Sequence, residues 1–290
     1  MQGSTGYTLG FAASVCVFCS IFVAGAAVAL KDRQDANAVL DRQKKVLSVA
    51  GLDCVGDMEP DAITEAFASL VQPVLVDTTT WEPVDVADVE SIADIDAYDP
   101  RKAARDPAIN IQVEETDESL RAKVSRLPPY EVVYYVSPLA NPCESSEGLV
   151  SDATLLEQLI VPMQGPGLWS TLYGYVSVQT ADFNTLNGLI FYEHAETPGL
   201  GGEVDNPRWK AKWVGTELRS SVDDNDVELR VVKGAADVGD THGVDGLSGA
   251  TITSNGVSYA LAYWLGPDAF DVDVLRDIAE EVSNISQEGS

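Results

Sequence analysis

The sequence predicts an α+β protein: a single N-terminal transmembrane helix followed by an α+β domain. Three observations carry this. Residues 10–30 are almost wholly apolar or small, and no charged side chain precedes Lys31; about 20 such residues span a bilayer core as a helix. Beyond them, runs rich in Val, Ile and Tyr are mixed with separate helical patterns, which indicates an α+β arrangement. The chain has 290 residues, 45% of them hydrophobic, and no internal repeat. That suffices for one large or two small domains without a disulfide framework.

In chain order, residues 1–9 read as a tail and 10–30 as the span. A cleaved signal peptide competes, because residues 24–29 are small, but the basic segment that such peptides carry at their start is missing. Residues 31–50 read as a connecting helix. Ala36, Val39, Leu40, Val46 and Leu47 form its apolar stripe, and Gly51 ends it. Residues 51–290 form the soluble domain. Residues 61–70 suit a short helix, with Ile63, Phe67 and Leu70 on one side. Residues 78–107 are acidic and poor in large apolar side chains, so they read as an irregular insertion. Strands are expected at 130–137, 155–163, 170–180, 186–193 and 227–232. A helix is expected at 207–214, with Asn206 as N-cap and Pro207 in its first turn. An amphipathic helix at 268–283 places Phe270, Val274, Leu275 and Ile278 on one side.

The formal net charge of −28 excludes nucleic acid and anionic membrane surfaces as partners, and suits solubility in a salty medium. The two histidines, His194 and His242, and the absence of HExxH or Cys/His spacings argue against a zinc hydrolase or any metal site. Cys16 and Cys19 lie in the apolar stretch, where small apolar packing is their expected role. A disulfide between Cys54 and Cys143 is allowed outside the cytoplasm, and their spacing does not establish it. The flanks of the span conflict with that location. Lys31, Arg33, Arg42, Lys44 and Lys45 follow it and nothing basic precedes it, so the positive-inside rule puts the domain in the cytoplasm.

The stretch with chemical content is Asp245-Gly-Leu-Ser-Gly-Ala-Thr251-Ile-Thr-Ser-Asn-Gly256, which runs into apolar residues 257–265. Small residues admit close backbone approach. A helix opening near Thr251 would direct free N–H groups and the positive end of its dipole at an anion such as phosphate. From composition alone an ordinary turn leading into a capped helix is the preferred reading. Two further turn-like segments follow strands: Gly165-Pro-Gly-Leu-Trp-Ser170 and Glu196-Thr-Pro-Gly-Leu-Gly-Gly202.

Residues 245–251 resemble the D-x-x-[ST]-G-A-T signature of covalently flavinylated FMN-binding domains. The chain is more closely similar to the C subunits of sodium-translocating NADH:quinone reductases. That likeness rests also on Leu40-Asp-Arg-Gln-Lys-Lys-Val-Leu47 and on the 165–170 and 196–202 segments. It covers about residues 8–265, with the FMN-binding region at about 130–265. The resemblance implies FMN joined through its phosphate to Thr251 by a flavin transferase. Ser248, Gly249, Ala250, Thr253 and Ser254 would surround the phosphate, with Leu168, Trp169, Glu196, Thr197, Gly199 and Leu200 about the ring. His194 is not included. Asp245, itself anionic, is assigned to shaping the loop or to recognition by the transferase.

The resemblance further implies an electron-carrying member of a membrane complex that pumps sodium and reduces ubiquinone. The chain would sit in the bacterial inner membrane with its domain on the periplasmic side. It would contact other membrane subunits and would not oxidise NADH itself, because no G-x-G-x-x-G opens a β-α-β unit. No acidic residue lies within 10–30, so a sodium path through this span is not expected. The alternatives are the related member of a ferredoxin:NAD electron-transport complex and a non-redox scaffold of the same fold.

Overall fold

Antiparallel pairing of Val- and Tyr-rich segments builds the sheet on which everything else rests. The computed structural model describes residues 5–137, 143, 157–221 and 226–288, except for the side chains of residues 32, 53 and 285–288. The chain forms two units, Met1–Arg42 and Gln43–Ser290.

The described residues of the first unit all belong to helix α1. This helix runs unbroken over Thr5–Val49, and its last turns belong to the second unit. Its segment Thr5–Lys31 is long and apolar enough to cross a membrane. It ends as expected at Gly51, in the left-handed region (φ 97°). There Leu52 N donates to Leu47 O and Gly51 N to Ser48 O, the paired bonds of a Schellman cap.

In the second unit, six strands pair antiparallel in the order β2-β1-β5-β6-β7-β8. They are β1 (Val71–Asp77), β2 (Pro83–Val84), β5 (Tyr130–Val136), β6 (Gln158–Pro166), β7 (Thr171–Gln179) and β8 (Leu186–Glu193). Three of the expected strands match β5, β7 and β8 within a residue or so. The expected strand at 155–163 is seen from Gln158 and runs on to Pro166; residues 155 and 156 lie outside the described residues. Strand β1 is not among the expected strands. It follows helix α2 (Pro60–Leu70) with no intervening residue, so no turn signal separates the two. Pro73 also argues against an inner strand, yet it pairs with Tyr134.

One face of the sheet carries Val133, Tyr135, Leu159, Val161, Leu172, Val176 and Leu189 in the main core. Helices α6 (Thr251–Trp264) and α7 (Val272–Glu288) contribute Val257, Ala260, Leu261, Leu275 and Ile278 to the same core. The opposite face presents Tyr134, Tyr175 and Tyr192 in edge or tilted contact, and Phe67 of α2 packs on Tyr134. The close seat of α6 on β6 depends on two glycines. A Cβ on Gly256 would overlap Pro166 O, and one on Gly165 would lie 2.6 Å from Ala260 Cβ.

The acidic segment 78–107 is largely irregular, and its acids have a local use. Asp85, Asp94, Asp99 and Asp106 each accept from a backbone N–H two residues on, as Asx turns do. Asp99 also caps α3 (Pro100–Arg105). Further short elements are β3 (Ile111–Gln112), α4 (Asp117–Ala122) and β4 (Arg126–Leu127). The expected 207–214 helix is α5 (Pro207–Lys210) continued as a 3₁₀ turn, Ala211–Trp213. Of the expected 227–232 strand only β9 (Arg230–Val231) forms, parallel to β10 (Gly243–Val244).

Candidate functional site

Three loops meet at the N-terminal end of α6. The first is the turn joining β6 to β7. Pro166 and Thr171 are its last paired residues, and Gly167 N donates to Ser170 O at 2.7 Å. The turn leaves Leu168 half exposed and Trp169 70% exposed, an unusual state for a Trp.

The second loop follows β8. Gly199 takes φ 78°, and Leu200 N and Gly202 N both donate to Thr197 O, which folds 197–202 tightly back on itself. Thr197 and Gly199 are exposed at its tip. The third loop precedes α6. Gly249 takes φ 72°, and an added Cβ there would lie 3.0 Å from Leu200 Cδ2, so the second and third loops touch. Asp245 anchors the third loop. Its carboxylate accepts from Lys212 Nζ and from Ala236 N, and its carbonyl accepts from Trp209 Nε1. The lysine, then the backbone bond, hold the Asp245 carboxyl below its ordinary pKa. Asp245 thus shapes the loop through partners distant in sequence, and not through the Asx turn that its residue type suggests, because Leu247 N donates to Ser254 Oγ instead. The Trp209 and Lys212 partners have no signal in the sequence, because they come from a helix over thirty residues earlier.

Glu196 joins the first two loops to the helix. Its buried carboxylate accepts from Leu168 N at 3.1 Å, Trp169 N at 2.8 Å, Ser170 N at 3.4 Å and Thr253 Oγ1 at 2.6 Å. Burial alone would raise its pKa. The Thr253 hydroxyl and the three N–H groups outweigh that, so Glu196 titrates below the ordinary glutamate range. Gly167 and Gly201 make room for it: a Cβ on either would overlap a Glu196 carboxylate oxygen. His194 buttresses the same residue. Its Nδ1 accepts from Glu196 N at 3.2 Å, which puts the ring proton on Nε2, 2.8 Å from Asp205 Oδ2. Ser170 Oγ accepts from Ala195 N at 2.7 Å.

The hydroxyls of the helix start divide. Thr253 and Ser254 are buried, the first donating to Glu196 and the second accepting from Leu247 N at 3.1 Å. Thr251 is exposed in the first turn of α6, beside the exposed Ser248 and Gly249. Ala250 holds the N-cap position and its side chain makes no capping bond. An uncapped helix N-terminus presents N–H donors and a partial positive charge. A phosphate fits such an end, and an exposed Thr hydroxyl there is a ready ester acceptor. Exposed Leu168, Trp169, Leu200 and Ile252 lie on the loops and helix turn that border it. Apolar surface of that kind suits a flat aromatic ligand. The sequence-predicted residues thus fall into two groups. Thr251, Ser248, Gly249, Leu168, Trp169, Thr197, Gly199 and Leu200 are exposed around the helix end. Ala250, Glu196, Thr253 and Ser254 are buried beneath it.

The FMN-binding domain family matches residues 167–266, which take in all three loops. The C subunit of the Na(+)-translocating NADH-quinone reductase of Vibrio vulnificus is 44% identical over 263 residues, 91% of each chain. The protein of the same name from Pseudomonas aeruginosa is 42% identical over 273 residues, 93% of this chain and 95% of that one. The crystal structure of Shewanella oneidensis NqrC superposes with a TM-score of 0.66 at 31% identity, covering 85% of this chain and 99% of that one.

Proposed function

The chain belongs to the family of C subunits of Na(+)-translocating NADH-quinone reductases, and from that premise we propose that it is the FMN-carrying member of such a reductase. FMN is held by a phosphoester to Thr251 and relays single electrons between partner subunits. The observation that carries this reading is the exposed Thr251 in the first turn of the uncapped helix α6.

Bound FMN supplies reversible one-electron chemistry. The residues of this chain hold it and orient it. The N-terminal N–H groups of α6, together with Ser248 and Gly249, would hold its phosphate. Exposed Leu168, Trp169 and Leu200 would lie against its ring, and Thr197 and Gly199 at the tip of the second loop would be available to its polar groups. Glu196 keeps the turn at 167–170 fixed to α6, so the ring's surroundings do not move when its charge changes. Preorganised surroundings are what a protein contributes at a flavin. A covalent tether removes the need to bury the ring, and an open edge permits electron exchange with a neighbour.

The reductase complex supplies the other membrane subunits as partners, and a flavin transferase supplies the FMN. We place α1 in the inner membrane and the domain on its periplasmic side. The disulfide Cys54–Cys143 supports that side, because such bonds persist in oxidising compartments. Part of the basic flank that argues otherwise has a local role: Lys44 Nζ donates to Gly56 O at 3.5 Å.

The test is denaturing electrophoresis with in-gel flavin fluorescence, on protein made with its transferase. Thr251→Ala should lose the fluorescent band, and Thr253→Ala should keep it. A fluorescent band in Thr251→Ala would move the linkage elsewhere.

A further inference from the structure

Against the paired ends of β6 and β7 lies a recess of about 220 Å³, walled by Arg101, Arg105, Lys123, Arg126, Gln164 and Tyr173. Among the described residues its lining includes no acidic side chain. Four of the chain's 18 Lys and Arg residues gather there, in a protein whose net charge is −28. Arg101 is fixed. It makes a bidentate pair with Glu193 at 2.7 and 2.8 Å, and its guanidinium lies 3.8 Å from the centre of the Tyr173 ring. Arg105, Lys123 and Arg126 are exposed, and among the described residues none of them forms an ion pair.

We propose that this recess is the docking site for acidic side chains of a partner subunit of the reductase, set beside the flavin so that electron exchange occurs in one fixed orientation. The inference rests on the functional reading above and names the surface that the partner uses. Two features favour a protein partner over a small anion. The three cations without ion pairs stand on the exposed rim, spread over α3, the end of α4 and β4, and do not converge on one buried point. The recess also adjoins the redox site, since its wall includes Pro166 and Thr171, the pair from which the turn carrying exposed Trp169 springs. Exposed aromatic and Arg side chains side by side are the composition of protein interfaces.

The electrostatics give the patch its purpose. A surface of overall charge −28 repels any acidic neighbour at long range. A local reversal of sign lets such a neighbour approach in one pose only, and charge complementarity acts on orientation and association rate more than on final affinity. The end of the acidic insertion thereby acquires a role, because it and the residues that follow it fold into α3, α4 and β4, which hold the cations.

The experiment uses the full chain, tagged and co-expressed with the remaining subunits and the transferase. The triple variant Arg105→Glu, Lys123→Glu, Arg126→Glu changes only exposed side chains. It should keep its in-gel flavin fluorescence. The other reductase subunits recovered with it should fall about tenfold, the lower end of what electrostatic steering supplies, and raised salt should weaken the wild type towards the variant. The neutral variant Arg105→Gln, Lys123→Gln, Arg126→Gln should fall between. Recovery of the partners at the wild-type level and with wild-type salt dependence would overturn the proposal. So would tight binding of inorganic phosphate in the recess of the assembled complex, since the occupant would then be a small anion. Loss of flavin fluorescence in the triple variant would also overturn it, by assigning the cations to flavin attachment. A wild-type chain without fluorescence would instead strike the functional reading itself, which keeps the two failures apart.

Discussion

Replacing Glu196 by Gln exchanges one acceptor oxygen for an amide that faces donors. Each carboxylate oxygen serves two groups, Oε1 the N–H of Trp169 and Ser170, and Oε2 the N–H of Leu168 and the hydroxyl of Thr253. With the amide nitrogen on the Oε1 side the N–H groups of Trp169 and Ser170 lose their partner; on the Oε2 side the Leu168 N–H loses its partner, while the Thr253 hydroxyl can turn to accept from the amide. Charge-assisted bonds to buried groups make that loss about 1–3 kcal/mol. Glu196→Gln should therefore lower the urea midpoint while covalent fluorescence persists, because Thr251 is untouched. The pH dependence has a definite sign. Glu196 titrates below its ordinary range, so its stabilisation is complete above the unfolded pKa. It is lost as pH falls through the lower folded value. The wild type should lose stability below about pH 4, and Glu196→Gln should flatten that limb. An unchanged acid limb in the variant would contradict the clamp. The sequence points to Glu196 as a site residue through the E-T-P-G-L-G pattern, but assigns its carboxylate to the ring. No spacing could show that residues 168–170 and 253 already occupy both oxygens, since those contacts join loops far apart in the chain.

Helix α6 and strand β6 show how elements hold the site in place. Alanine is about 1 kcal/mol more favourable than glycine inside a helix. Gly256→Ala should nonetheless destabilise, because its Cβ would overlap Pro166 O and lift α6 from β6. The expected cost is about 1–3 kcal/mol or more, as for other overpacked contacts. A thermal midpoint equal to or above the wild type would show that α6 does not sit as described. Strand β5 offers a second test. Burial pushes the Glu131 carboxyl up to about 8; a bond from Val132 N opposes this, and the charge of Asp99 adds to it. A raised folded pKa favours the neutral form, so stability from this group is full below the unfolded pKa and declines as pH rises towards 8. Glu131→Gln should remove that decline and gain on the order of 2 kcal/mol at neutral pH. The check is chemical denaturation between pH 5 and 8. Of the elements, α1, β5, β7, β8 and α6 are legible in the sequence, because each has clear periodicity or a Gly or small-residue boundary. Strand β1 is hidden by its direct junction with α2, and β9 is overestimated because only two residues of its Val-rich run find a partner.

For the molecule as a whole, the Cys54–Cys143 bond links residues 89 apart in sequence. Closing so long a loop in the unfolded chain stabilises the fold by about 4 kcal/mol on the chain-entropy account. Cys54→Ser should therefore lower the unfolding midpoint sharply, and the loss should match that of reduced wild type. The bond also reports on side. Thiol labelling of unreduced membranes after denaturation should find only Cys16 and Cys19, whereas free thiol at Cys54 and Cys143 would argue for a reducing compartment. The sequence permits this bond without requiring it, and its basic flank points to the opposite side of the membrane.

Attachment of the flavin to Thr251 is the point on which the proposed function stands. Its most direct measurement is mass spectrometry of the peptide containing Thr251, cut from the chain isolated with its native complex. The peptide should be heavier by FMN less one water, with fragmentation placing the added mass on Thr251. An unmodified peptide from flavin-containing complex, or added mass on Thr253 or Ser254, would contradict it.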